Sequence, residues 1–211
     1  MKRPRAEHLS VDGPVGVLET LVESPESPLG LAVICHPHPL YQGTMANKVV
    51  HTLARVFNDA GLAAVRFNFR GVGNSEGKYA DAIGETDDAR AVVSWARRRW
   101  PDRPVWLAGF SFGAFVALRA SADVSPQGLV SVAVPVQRFD VAMLEQPTCP
   151  WIIVQGDHDE LVDVDAVVNW VDGLAPGPEL LVMVGVDHFF HGRLRELRQR
   201  LFDLLKAHLD S

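Results

Sequence analysis

The sequence predicts an α/β fold, a single domain over residues 1–211 in which a mostly parallel sheet lies between two layers of helices, with an antiparallel hairpin at the N-terminal edge. Three observations carry this. Six stretches (residues 29–35, 62–69, 105–108, 129–134, 151–154 and 180–184) read as largely apolar runs rather than alternating ones, the pattern of strands buried on both faces. Segments with helical spacing of apolar residues separate most of them, which implies parallel strands joined by helical crossovers. At one strand–helix junction stands Gly109-Phe110-Ser111-Phe112-Gly113, a serine with glycines two positions away on either side.

Taken in order, residues 7–24 alternate imperfectly through Leu9, Val11, Val15, Val17, Leu18 and Leu21, interrupted by Asp12-Gly13-Pro14. That is an edge hairpin with a turn, expected to carry no chemistry. The first buried strand, 29–35, ends in His36-Pro37-His38-Pro39. Over 45–60 the apolar residues Val49, Val50, Leu53, Val56 and Phe57 form a helical stripe, and Gly61 supplies the stop. The second strand, 62–69, runs into Arg70-Gly71-Val72-Gly73-Asn74-Ser75-Glu76-Gly77, and a helix over 85–100 presents Ala89, Val92, Val93, Ala96 and Trp100 inward. The next strand feeds Ser111, and the helix after it is apolar on nearly every side, as a central helix must be. After the strand at 129–134, residues 135–150 offer only one short amphipathic piece, too little for a lid. A strand at 151–154, a helix near 163–174, a strand at 180–184 and a terminal helix with Leu194, Leu197, Leu201, Leu204 and Leu205 on one side complete the chain.

Composition narrows the function classes. With 20 basic and 26 acidic side chains, a net charge of −6 and a pI near 5.7, the chain lacks the basic surface that nucleic acid requires. Arg97-Arg98-Arg99 reads as a solvated helix end, where cations are favoured. No apolar run is long enough to span a membrane, and the basic stretch from Met1 to Arg5 lacks the apolar core of a secretory signal. The two cysteines, Cys35 and Cys149, border apolar strands, where a thiol packs as a small hydrophobe; a cytoplasmic location without disulfides follows as the expectation.

In a parallel sheet the ligand site lies beyond the C-terminal strand ends. Ser111 there has the sequence form of a nucleophile elbow, a strand-to-helix turn so tight that its neighbours must lack side chains. A serine hydroxyl needs a base, and the base needs an orienting carboxylate. Two later strand ends provide both in that order: Gly156-Asp157-His158-Asp159-Glu160, then Asp187-His188. Asp157 and Asp163 compete with Asp159 for the acid, and His191 with His188 for the base. His36 and His38 could pair with Asp157 or His158 around zinc, but their flanking prolines suit a structural loop better. The glycines at 71, 73 and 77 are spaced one residue too widely for a dinucleotide cradle and read as a turn beside the site. No cofactor is expected.

These motifs resemble those of the α/β-hydrolases, in particular the small uncapped bacterial members related to dienelactone hydrolases. The resemblance spans nearly the whole chain through His36-Pro37-His38-Pro39 with Gly43-Thr44-Met45, the Arg70 to Gly77 glycine loop, Gly109 to Gly113, Gly156-x-x-Asp159 and Asp187-His188-Phe189-Phe190. It implies a three-layer sandwich, a Ser111–His188–Asp159 triad, and an oxyanion hole formed by the Phe112 N–H and one from the loop after the first parallel strand. Pro37 and Pro39 have no N–H, so His38 becomes the second donor, with Leu40 as the fallback. A small-molecule ester or thioester is then the expected substrate, met at a mouth lined by Leu40, Tyr41, Phe110, Phe112, Val162 and Phe189, with Phe139 or Met143 as further candidates. A peptidase or acyltransferase would share the triad, and a binding protein could retain the scaffold without turnover. No heptads or repeats indicate an oligomeric state, although the edge hairpin could pair with another chain.

Overall fold

The computed structural model describes residues 4–210; Met1 to Arg3 and Ser211 lie outside the described residues. In chain order the elements are β1 (Arg5–Gly13), β2 (Gly16–Ser24), β3 (Leu31–Cys35), α1 (Lys48–Asp59), β4 (Ala63–Phe67), α2 (Ile83–Arg99), β5 (Val105–Phe110), α3 (Phe112–Val124), β6 (Gly128–Val132), β7 (Trp151–Gly156), α4 (Val164–Asp172), β8 (Glu179–Met183) and α5 (Leu194–Leu209). The strands form one eight-stranded sheet in the order β1-β2-β4-β3-β5-β6-β7-β8. From β4 to β8 every pairing is parallel, while the β1–β2 hairpin joins β4 antiparallel through β2.

The central strands β3 to β7 are buried along their whole length because both faces are covered. On one face lies a core built from α2, α3 and α4, including Val92, Phe115, Val116 and Val167. The other is built from α1 and α5, including Val49, Leu53, Leu197 and Leu201. Nearly every side chain of α3 from Phe112 to Ala120 is buried, which explains its lack of a polar face. Two helix ends show local chemistry at work: Asn47 caps α1 by accepting from the Val49 N–H at 2.8 Å, and Arg97, Arg98 and Arg99 fill the last turn of α2. The connection between β6 and β7 contains a single 3₁₀ turn, Val141–Met143, so no helical lid stands over the strand ends.

After β3 the chain crosses to β4 on one side, and after β5 it crosses to β6 on the other. These two neighbours form the topological switch point, where the crossovers diverge and leave a crevice. Cys35 is in register with Gly109, which sets the loop after β3 beside the residues after β5.

Candidate active site

Ser111 occupies φ 54°, ψ −121°, a backbone region that a non-glycine residue enters at a cost of about 1–3 kcal/mol. Its surroundings impose this conformation. The Ser111 N–H donates to Val132 O of the adjacent strand at 2.8 Å, and Ser111 O accepts from the Ala114 N–H at 2.8 Å to start α3. The flanking glycines are steric requirements: a Cβ on Gly109 would lie 2.1 Å from Gly113 O, and one on Gly113 would lie 2.3 Å from Cys35 O. Although Ser111 is the N-cap of α3, its hydroxyl makes no capping bond, so Oγ is available to a partner across the sheet.

That partner is His188, whose Nε2 lies 3.1 Å from Ser111 Oγ and whose Nδ1 lies 2.8 Å from Asp159 Oδ2. His188 is buried in the loop after β8 and Asp159 in the loop after β7, strands paired through Gly156↔Met183. Burial works to raise the Asp159 carboxyl above its ordinary range, but the bonds from His188 and the Leu161 and Val162 amides outweigh it and hold the group lowered. Ionised Asp159 requires a proton on His188 Nδ1, which leaves Nε2 free to accept the serine proton.

Asp159 is fully tied down. Its Oδ1 accepts from the Leu161 and Val162 N–H groups at 2.9 and 2.8 Å, and its Oδ2 accepts from Gln155 Nε2 at 3.0 Å as well as from His188. The competing acids are engaged elsewhere: Asp157 Oδ1 accepts from the Gly185 N–H, and Asp163 caps α4. His191, the competing base, pairs with Asp187 at 2.7 Å on the exposed side of the loop.

The loop after β3 lies against α3, with the His38 and Phe112 ring centroids 4.7 Å apart. His36 is buried and anchors this loop to the end of β4. Phe69 N–H donates to its Nε2 at 3.0 Å, which puts the proton on Nδ1, and that nitrogen donates to Pro37 O at 2.6 Å. Burial pushes His36 down to about 4, against the opposing bond to Pro37 O and with the nearby His38 acting in the same direction as burial. With both ring nitrogens engaged, His36 has no lone pair for a metal, and among the described residues no group of three or more His, Cys, Asp or Glu could hold one.

His38 Nδ1 accepts the Leu40 N–H at 3.2 Å, and its Nε2 faces Tyr79 Oη at 3.2 Å. The Leu40 amide is therefore taken by the loop itself. Among the described residues, neither the His38 nor the Phe112 amide has a hydrogen-bond partner within the protein. Burial, then the nearby Arg138, lowers His38, with Asp81 opposing.

The glycine loop lies beside this segment and supports it. Arg70 forms a buried bidentate pair with Asp88 of α2. Glu19 of β2 accepts from Asn68 and Asn74, and Ser75 accepts the Glu19 N–H. Gly73 sits at φ 56°, a left-handed conformation that favours glycine, and a Cβ there would displace the tips of Glu19 and Asn68 that brace the loop.

The mouth differs from the expectation at three positions. Phe110, Phe112 and Val162 are fully covered: Phe110 faces the α1/α5 core beneath the His188 ring at 5.1 Å, Phe112 packs among Phe69, Tyr79 and Phe139, and Val162 serves Asp159 through its amide. A strand-end residue and a helix-first residue point into the layers they join, which linear position alone does not reveal. Leu40 and Tyr41 are exposed, Phe189 is half-buried, and Leu161, two residues after Asp159, adds exposed apolar surface; Met143 is exposed too, but its neighbours Val141, Ala142 and Leu144 lie with Trp151 and Trp170 rather than with Ser111. Sequence reasoning missed Tyr79 and Gln155. The latter is a polar residue closing the apolar run Trp151-Ile152-Ile153-Val154, and that break in pattern was the available signal. A cavity of about 410 Å³ lined by Pro147, Cys149, Pro176, Glu179 and His208 lies at the N-terminal ends of β7 and β8, away from the triad.

Comparison with known proteins agrees with this architecture. The family model of X-Pro dipeptidyl-peptidase (S15 family) matches residues 12–143, spanning the loop after β3 and Ser111. An α/β serine hydrolase without a lid from Xanthomonas campestris is 44% identical, with 93% of this chain and 92% of that chain covered at a TM-score of 0.90. An alpha-beta serine hydrolase homologue from Coxiella burnetii is 46% identical over 94% of this chain and 97% of that one, TM-score 0.91. The uncharacterized protein RP471 of Rickettsia prowazekii is 33% identical over 207 residues, covering 92% of this chain and 86% of its own length. With a family model over more than half its length and near-complete overlap with serine hydrolases of this architecture, the chain belongs to the X-Pro dipeptidyl-peptidase (S15) family of α/β-hydrolases, as a small member without a lid.

Proposed function

We propose that the protein is a serine carboxylesterase that cleaves small apolar ester or thioester substrates through an acyl-enzyme on Ser111. The observation that carries this is the continuous hydrogen-bond chain Ser111–His188–Asp159, launched from a strained elbow. Ser111 Oγ attacks the acyl carbon while His188 Nε2 takes its proton, and ionised Asp159 stabilises the imidazolium that results. The unpartnered amides of Phe112 and His38 receive the oxyanion, assisted by the N-terminal end of α3. His188 then protonates the departing alcohol or thiol, and water repeats the sequence to release the acid. The exposed Leu40, Tyr41 and Leu161 favour an apolar acyl group. The substrate is a small molecule, not a nucleic acid or a membrane; among the described residues no helix is long and apolar enough to cross a bilayer. Two unpaired cysteines accord with a cytoplasmic location.

A second reading, cleavage of a peptide bond after proline, is favoured by the family model that covers the serine and the preceding loop. Both readings share the acyl-enzyme. Labelling by a fluorophosphonate and hydrolysis of p-nitrophenyl butyrate should occur in the wild type and vanish in Ser111→Ala, which keeps its circular dichroism; a variant with wild-type turnover would refute the assignment. Rates on a matched ester, thioester and X-Pro amide panel decide the leaving group.

A further inference from the structure

We infer that Gln155 is a positioning residue for the acid of the triad, holding Asp159 so that one carboxylate oxygen is presented to His188. This rests on the catalytic reading above. Gln155 lies in β7 with no exposed surface, directly after four apolar residues of the same strand. Its Nε2 is 3.0 Å from Asp159 Oδ2, 3.1 Å from Gly156 O and 3.2 Å from Val162 O. All three are acceptors, and one is ionised, so the amide has only one workable orientation: with the group turned over, its oxygen would face a carboxylate and two carbonyls.

The oxygen that Gln155 meets is the one His188 meets. Asp159 Oδ1 is held by the Leu161 and Val162 amides and Oδ2 by Gln155, so the carboxylate is gripped at both oxygens and the one presented to His188 is held from the side away from the imidazole by Gln155. By also bonding Val162 O, the same side chain braces the loop that carries Asp159. This arrangement has a cost, since Gln155 Oε1 is buried without a partner in the protein. A methionine of similar length would spare that cost in a strand otherwise filled by Trp151, Ile152, Ile153 and Val154. A buried polar group retained at a cost, and aimed at a charged group of the site, is placed for function rather than for packing.

The test uses Gln155→Met and Gln155→Glu in the full chain, read by fluorophosphonate labelling rate and by p-nitrophenyl butyrate kinetics. Gln155→Met should stay within about 5 °C of the wild-type Tm, lose about tenfold or more in kcat, and hold KM within about twofold. Gln155→Glu sets two carboxyls in contact that share a proton. Its protonated form can donate to Asp159 as the amide does, so its rate relative to wild type should climb as the pH is lowered from about 8 to 6, whereas the ratio for Gln155→Met stays flat. A folded Gln155→Met with wild-type kcat and labelling rate overturns the inference while leaving the triad intact, as does a Gln155→Glu ratio independent of pH. A wild type that neither labels nor turns over defeats the catalytic reading itself.

Discussion

Lowering the pH from 7 towards 4 should destabilise this protein chiefly through one fully buried imidazole, His36; His38 and His51, also held low by burial, act in the same direction and are common to wild type and His36→Gln. The unfolded residue titrates near its ordinary value of 6.5, and the folded one only at about 4, chiefly because burial disfavours its charged form. Between those values the unfolded chain binds a proton that the native state refuses, so stability is fully present above 6.5 and is lost as the pH falls. The gap of 6.5 minus 4, at 1.36 kcal/mol per pH unit, corresponds to roughly 3 kcal/mol. Protonation would also remove the acceptor for the Phe69 N–H, releasing the loop that carries His38. The assay is urea unfolding of wild type and His36→Gln at intervals from about pH 7 to 4.5. Asp159 and Glu19, both held low in the folded state, contribute stability lost only below their ordinary values of 3.8 and 4.5, and they are common to both proteins. Below about pH 6 the wild-type curve should therefore be steeper by about 1.4 kcal/mol per pH unit, the slope of one proton. Parallel curves through that range would show that His36 titrates alike in both states, and the account of the buried anchor would be wrong.

Three further outcomes follow from the same geometry. Asp159→Asn should lower kcat by about 10³- to 10⁴-fold: with its oxygen held by the Leu161 and Val162 amides, the new NH₂ would face His188 Nδ1 and force the proton onto Nε2, where the base is needed. Turnover of p-nitrophenyl butyrate measures it, and near-normal rates would deny Asp159 its role. Gly113→Ala should cost about 3 kcal/mol or more in urea unfolding and abolish turnover, since its Cβ would lie 2.3 Å from Cys35 O and 2.5 Å from His36 O, two backbone atoms that cannot retreat without moving the loop. Asp88→Ala strands the Arg70 guanidinium in a buried site and should cost about 3–5 kcal/mol by the same assay; a loss below about 1 kcal/mol would mean that water reaches Arg70 freely.

The sheet and its helices were legible because strands covered on both faces must be apolar throughout, and β3 to β7 are. The order of Ser111, Asp159 and His188 was legible for a related reason: parallel strands all end on one side, so residues just after separate strands share a crevice. The choice of Asp159 over Asp157 and Asp163 did not come from composition or spacing. It depends on which carboxylate the turn after Gly156 directs at His188, while Gly185 and the start of α4 claim the others.

Linear sequence determined the class of the protein, the position of the elbow and the candidates for each role, since these follow from hydrophobic periodicity and from the backbone demands of glycine and proline. Tertiary structure alone decided the rest. It turned Phe110, Phe112 and Val162 inward, brought His188 to Ser111, and brought Tyr79 to His38 from a loop with no catalytic signature. A hydrogen bond between residues 41 or 77 positions apart is a property of two elements meeting at fixed distance and angle, and no local pattern in either encodes it.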